Sequence, residues 1–71
     1  MSYWRETDES VVFDECELVA ETPRALRVFF DHGVEHWIPK SQIRSVDMTM
    51  PGDVGRIEIT HWVARKKGLA D

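Results

Sequence analysis

The stretch ALRVFFDHGVEHWIPKS, residues 25–41, decides the fold of this chain. Apolar residues alternate with other residues on both sides of positions 31–33, which is the pattern of two strands that each bury one face. Gly33 can adopt the positive φ that a tight reversal needs. Pro39 ends the second strand because it has no backbone donor. The stretch therefore predicts a β-hairpin, followed by a tight turn at residues 40–42.

The register of this hairpin predicts which side chains share a face. Pairing Phe30 with Val34 directs one set of cross-strand pairs toward the core: Leu26 with Ile38, Val28 with His36, and Phe30 with Val34. The outer face then carries Arg27, Phe29 and Trp37. Arg27 lies across from Trp37, where its guanidinium can stack on the indole for about 0.5–1 kcal/mol. This outer face is predicted either to bind a partner or to support the C-terminal helix.

Upstream of the hairpin, residues 11–22 predict the first strand, with a period of two residues. Its small and apolar members are expected to face the core: Cys16, Leu18 and Ala20. Its acidic members are expected to face outward together: Glu15, Glu17 and Glu21. A buried thiol acts as a small hydrophobic group, so no nucleophilic role is predicted for it.

Downstream of the hairpin, the sequence predicts two more strands and a helix. Residues 43–50 form the fourth strand, with Val46, Met48 and Met50 on one face, and residues 56–60 form the fifth, with Ile57 and Ile59 inward. Residues 60–69 form a short helix, which Thr60 caps and Gly68 ends. This helix is expected to pack on the sheet through Trp62 together with Val63 or Leu69.

Five short strands joined by tight turns predict a mainly β fold, a small five-stranded SH3-like partly open barrel with a short C-terminal helix. An OB-like barrel is the alternative. Residues 1–10 are predicted to be a flexible N-terminal arm, and residues 11–71 a single small β-barrel domain that includes the helix. At 71 residues, with 42% hydrophobic and 31% charged residues, the chain has the composition of one folded domain.

Charge and cysteine content narrow the function classes. A net charge of −4 argues against free duplex DNA as the main partner, because that affinity comes from clustered lysine and arginine. The single cysteine favours a reducing, cytoplasmic location, and no apolar run reaches the roughly 20 residues of a membrane span. The three histidines lack the spacing of a zinc site. We therefore predict no enzyme activity, no catalytic residue, no metal and no cofactor.

Three segments carry a resemblance: WIPKSQI at residues 37–43, GDVGRIEI at 52–59 and WVARKKGL at 62–69. Together they resemble small, mostly uncharacterised proteins encoded by phages and bacterial mobile elements. The resemblance assigns no catalytic residue. It implies an accessory protein that binds and modulates a host protein, such as a nucleic-acid enzyme or a defence complex. An anti-CRISPR-like inhibitor is one form that this role can take. The acidic N-terminal half is similar in style to phage inhibitors that imitate nucleic acid.

Three hypotheses for function follow. The first is a non-enzymatic interaction module, with Arg27, Phe29 and Trp37 as anchors. Its complementarity to a basic partner surface would come from three acidic side chains: Glu15, Glu17 and Glu21. The second is a barrel that binds single-stranded nucleic acid, with bases on Phe29 and Trp37. Its backbone contacts would come from Arg27, Arg44, Arg65, Lys66 and Lys67. The third is a self-assembling structural component.

Overall fold

The computed structural model describes residues 9–31 and 33–70. The predicted N-terminal arm falls mostly on residues 1–8, and these residues, like His32 of the hairpin turn, lie outside the described part. The described residues form one five-stranded antiparallel sheet and a short helix around a shared core. None of their helices has the length and apolar character needed to cross a membrane.

The elements follow one another with short connections. The strands are β1 (Ser10–Glu21), β2 (Ala25–Phe30), β3 (Val34–Pro39), β4 (Ile43–Val46) and β5 (Val54–Thr60). A 3-10 turn, Lys40–Gln42, joins β3 to β4, and helix α1 (His61–Lys66) follows β5 directly. The order across the sheet is β3-β2-β1-β5-β4, so β3 and β4 are its two edges. The predicted fold class, a mainly β partly open barrel with a short C-terminal helix, is confirmed.

The β2–β3 hairpin has the predicted register. Phe30 pairs with Val34, Val28 with His36 and Leu26 with Ile38. The turn closes through the Gly33 amide, which donates to the Phe30 carbonyl at 2.9 Å, and Gly33 has a φ of 92°. Arg27 is the cross-strand partner of Trp37, as the sequence predicts.

A bulge divides β1, and the sequence analysis did not predict it. Phe13 pairs with Ile57 on β5, but the next pair is Cys16 with Gly55, so one extra residue is inserted on β1. Glu15 lies in this bulge with a φ of 57°, in the left-handed region that non-glycine residues seldom adopt. The extra residue reverses the alternation. It therefore lets Phe13 and Cys16 both face the core despite their odd separation.

A second register shift in β1 corrects the predicted faces of two residues. Leu18 pairs with Val28, but Ala20 then pairs with Arg27 and Glu21 with Leu26. Because cross-strand partners share a face, Ala20 lies on the outer face with Arg27 rather than inward. Glu21 lies on the same face as Leu26. The prediction that Glu15, Glu17 and Glu21 share one face is therefore wrong.

The fourth strand is shorter than predicted. It ends at Val46, and a register shift between Ile43 and Ser45 puts both Ile43 and Val46 opposite inner residues of β5. Met48 is buried after the strand, whereas Met50 is 60% exposed, so its predicted place beside Met48 is wrong. The chain has by then left the sheet and turned. The carboxylate of Asp53 accepts hydrogen bonds from the backbone amides of Thr49 and Met50 at 2.9 and 3.0 Å.

The helix has the predicted caps but a different packing face. The Thr60 hydroxyl accepts from the Val63 amide at 3.3 Å, and Gly68 has a φ of 76° just beyond the helix. Val63 is buried in the core and Leu69 packs against that core, as predicted. Trp62 is 59% exposed, so the prediction that it packs the helix on the sheet is wrong. Helical geometry turns residue 62 about 100° away from Val63, and the main contacts of α1 are with β1 and β5.

Candidate partner-binding surface

The outer face of the β2–β3 hairpin presents two large rings. Phe29 is 37% exposed and Trp37 is 42% exposed. Their alternating neighbours Val28 and Ile38 are fully buried, so the hairpin backbone itself directs the rings away from the core. We call Arg27, Phe29 and Trp37 the outer patch. The structure brings these three predicted anchors together on one face.

Arg27 is fixed in the outer patch by two contacts. One guanidinium nitrogen lies 2.6 Å from Oε1 of Glu35, and the guanidinium carbon lies 5.9 Å from the centroid of the Trp37 ring. Both partners are exposed, so each contact contributes at most about 1 kcal/mol to stability. Together the two contacts fix the position of Arg27, because they hold its guanidinium beside the exposed indole of Trp37.

Carboxylates flank the outer patch on both sides of Phe29. Its cross-strand partner on β1 is Glu17, and its partner on β3 is Glu35. Val54, the partner of Glu17 on β5, extends the same row and is exposed. Neither Glu35 nor Val54 was predicted from the sequence to belong to this surface. The position of Glu35, two residues before Trp37 on the same strand, was the available signal for the first of them.

The helix does not cover the outer patch. Helix α1 makes its main contacts with β1 and β5, whereas both rings lie on β2 and β3. The sequence predicted that the outer face either binds a partner or packs against the C-terminal helix. Phe29 and Trp37 are exposed and Val63 packs into the core, so the helix does not pack against the outer face.

The three predicted acidic residues are not brought together. Glu17 lies beside Phe29 in the outer patch, whereas Glu15 lies in the β1 bulge. Glu21 forms an ion pair with Lys40, whose Nζ is 2.6 Å from Oε2 of Glu21. That pair borders an open cleft of about 300 Å³ between the end of the hairpin and β4. Of these three predicted acidic residues, Glu17 is the one that pairs with a residue of the outer patch.

The predicted cations of the nucleic-acid hypothesis are also dispersed. Arg44 is on the edge strand β4, and Arg65 and Lys66 are on the helix, while Lys67 follows as its C-terminal cap. The ring beside the helical cations Arg65 and Lys66 is Trp62, not Phe29 or Trp37. The Lys66 ammonium lies 5.0 Å from the centroid of the Trp62 ring. This cluster was not predicted from the sequence, because Trp62 was expected to pack the helix on the sheet.

Cys16 is buried. Desolvation raises the pKa of the Cys16 thiol to about 11, and the nearby carboxylates of Asp31 and Asp14 act in the same direction. Its sulfur lies 3.7 Å from the carbonyl oxygens of Phe13 and Asp14, at hydrogen-bond distance for a thiol donor. Within residues 9–31 and 33–70, no group of three or more metal-ligating side chains is placed to hold a metal ion.

The class of protein that the fold and the surface define is a small, partly open β-barrel with an exposed aromatic patch on one hairpin. No protein-family model, no curated protein and no solved structure matches this chain. The exposed side chains are therefore the features of this protein that point to a function.

Proposed function

We propose that this protein is a non-enzymatic interaction module that binds a partner protein through the outer patch. The observation that carries the proposal is the exposure of Phe29 and Trp37 on one hairpin face, with Arg27 held beside the indole. Tryptophan and arginine are the residues most enriched among those that dominate binding energy at protein interfaces. Burial of both rings against a partner is the expected source of affinity.

The hairpin presents these anchors at a low entropic cost. Arg27 already contacts Glu35 and Trp37 in the unbound protein, so part of its side-chain freedom is lost before a partner arrives. The two rings stand on paired strands rather than on a loop. Less conformational entropy is therefore lost on binding, which raises affinity without new contacts.

The charge around the rings defines the complementary partner surface. Glu17 and Glu35 flank Phe29, and the whole chain carries a net charge of −4. The partner that fits has an apolar pocket for the rings and lysine or arginine residues at its rim. Opposite charges at an interface rim mainly raise the association rate, and salt screens this effect.

The resemblance to phage and mobile-element proteins favours a host protein as this partner. A nucleic-acid enzyme or a defence complex has the basic surface that an acidic inhibitor would occupy. The protein would then act as an anti-CRISPR-like inhibitor that blocks access to that surface. No covalent chemistry is needed for this mode of action.

The alternative, single-stranded nucleic acid bound through Phe29 and Trp37, has weaker support. A nucleic acid on Phe29 would bring phosphates close to the carboxylates of Glu17 and Glu35. The one cation within the outer patch, Arg27, is already paired with Glu35. A protein partner accommodates this mixture of rings and carboxylates better than a polyanion does.

The test uses affinity capture with the full chain, followed by binding kinetics on the captured partner. Trp37→Ala and Phe29→Ala should each weaken the complex by at least about tenfold, mainly through faster dissociation. Glu17→Lys should slow association and reduce its salt dependence. Circular dichroism checks that each variant remains folded.

Trp62→Ala is the matched control, because Trp62 is also an exposed tryptophan but lies on the helix. This variant should bind like the unmodified protein. If Trp37→Ala leaves the complex unchanged, or if Trp62→Ala weakens it as much, the outer patch is not the interface and the proposal is wrong.

A further inference from the structure

The exposed side of helix α1 carries a second aromatic cluster, unrelated to the outer patch. Trp62, Arg65 and Lys66 project from one side of the helix, because residues three and four positions apart are neighbours there. Their intervening residues, Val63 and Ala64, are buried in the core. We call Trp62, Arg65 and Lys66 the helix cluster.

We propose that the helix cluster binds single-stranded nucleic acid, with one base stacked on the Trp62 indole and the adjoining phosphates on Arg65 and Lys66. Trp62 is 59% exposed, so more than half of this residue's surface is available to a ligand. Every nucleobase has a π face, and stacking on an exposed aromatic ring is the usual mode of sequence-independent binding to single strands. Lysine and arginine beside the ring are the phosphate ligands of such sites.

The charge of this region is opposite to that of the whole chain. Arg65, Lys66 and Lys67 contribute three positive charges, and no acidic residue lies in the first turn of the helix. Among the described residues, no carboxylate forms an ion pair with Arg65 or Lys66. The protein is thus acidic overall, but it offers a local cationic surface at the helix.

Two surface hollows that Trp62 lines differ in chemistry. The described residues that line one of them, of about 400 Å³, are Trp62, Arg65 and Lys66. The other, of about 310 Å³, has Trp62 and Arg65 in common but also contains Glu9 and His61. The Glu9 carboxylate lies 3.6 Å from Nδ1 of His61. A phosphate therefore fits the first hollow better, since no described carboxylate lines it.

A lipid surface fits the helix cluster less well. Among the described residues of helix α1, Trp62 is the one exposed large hydrophobic residue, and Val63 and Ala64 face the core. Amphipathic helices that bind membranes bury a broad apolar face in the interface. A single indole beside two cations matches one base and its neighbouring phosphates instead.

The experiment is a titration of the full chain against a fluorescein-labelled oligothymidylate at low salt, read by anisotropy. Trp62→Ala should weaken binding by at least about tenfold, which corresponds to about 1.4 kcal/mol. Arg65→Gln and Lys66→Gln should each weaken binding and lower the slope of log affinity against log salt by about 0.7. An abasic strand with the same number of phosphates should bind less tightly than the oligothymidylate.

The controls separate this site from the outer patch. Trp37→Ala removes an exposed tryptophan elsewhere and Arg24→Gln removes an exposed positive charge elsewhere, so both should bind like the unmodified protein. The proposal is wrong if no anisotropy change occurs, if Trp62→Ala binds normally, or if the abasic strand binds equally well. Trp62-dependent binding to anionic vesicles without binding to the oligonucleotide would also overturn it. None of these results depends on whether Trp37 binds a partner protein.

Discussion

Gly55 lies so close to the segment between β4 and β5 that a Cβ atom at position 55 would be 3.1 Å from the Cβ atom of Asp47. The same atom would lie 3.2 Å from Cγ of the buried Met48. Gly55 pairs with Cys16 directly beyond the β1 bulge, so the crowded site is also the one where β1 bends. The absence of a side chain at residue 55 thus lets the side chains of Asp47 and Met48 pack closely against β5.

Gly55→Ala should therefore destabilise the protein, by about 1–3 kcal/mol, because added atoms in a tightly packed site force their neighbours to move. The direction of this change in stability shows whether the site at residue 55 is crowded. In an uncrowded strand position, replacing glycine by alanine stabilises by about 0.4–1 kcal/mol through the unfolded state. Urea unfolding of both proteins measures the difference. If the urea concentration at the unfolding midpoint is unchanged or higher, the side chains of Asp47 and Met48 can move aside without a cost in stability.

The Cys16 thiol should be unreactive in the folded protein. It is buried, and its pKa is raised to about 11, so the thiolate that reacts with disulfide reagents is scarce near neutral pH. Because the chain has one cysteine, a single reagent reports on this site alone. We expect labelling by Ellman's reagent at the rate of unfolding, and immediate labelling in denaturant. Rapid labelling under native conditions would contradict the burial of Cys16.

The same thiol gives an alkaline pH dependence. Its pKa is 9.0 in the unfolded reference and about 11 in the folded protein, so folding favours the protonated form. The stabilisation from Cys16 is fully present below pH 9 and is lost as the pH rises through 11. Melting temperatures measured across this interval should fall more for the unmodified protein than for Cys16→Ala. Parallel curves for the two proteins would contradict the raised pKa.

Asp53 gives an acid pH dependence. Hydrogen bonds from the Thr49 and Met50 amides and from the Thr49 hydroxyl lower the pKa of the Asp53 carboxyl from 3.8. The stabilisation from Asp53 is present above pH 3.8 and is lost as the pH falls through the folded-state pKa. Asp53→Asn should therefore weaken the acid-induced fall in stability, measured by thermal melts. Asp47→Asn, which removes an exposed aspartate nearby, is the control and should leave that fall in place.

Thr60 connects the helix to the turn after β3. Its hydroxyl donates to Oε1 of Gln42 at 2.7 Å and accepts from the Val63 amide at 3.3 Å. Thr60→Val keeps the shape but removes both bonds, and should lower the free energy of unfolding by about 1–2 kcal/mol. Thr60→Ser keeps the hydroxyl and should cost less. In a double-mutant cycle, Gln42→Ala should hardly change the free energy of unfolding in the Thr60→Val background. An equal change in both backgrounds would show that the two side chains are not coupled.

The hairpin was predictable because every local signal in it agrees. One register agrees with the strict alternation from Leu26 to Phe30, the glycine at the turn and the terminal proline. That register also places Arg27 across from Trp37. The outer patch could thus be predicted residue by residue. Its carboxylate neighbours Glu17 and Glu35 required the strand order, which no local pattern encodes.

The two bulges of β1 differ in how clearly the sequence indicates them. Phe13 and Cys16 are three residues apart, so both can face the core only if the strand contains an extra residue. That change of parity was visible in the sequence, whereas around Ala20 the small side chains give no preference for either face. Trp62 was misplaced because a helix of six residues has too few positions to define its buried side by periodicity.

The two edge strands of the sheet, β3 and β4, affect how this protein behaves in concentrated solution. β3 ends at a proline, and β4 is four residues long with an irregular pairing. Neither edge strand offers a long, straight row of unsatisfied amides on which a second molecule could grow by strand addition. Concentrated samples should consequently resist fibril formation, and thioflavin T fluorescence should stay at its baseline for as long as the barrel remains folded.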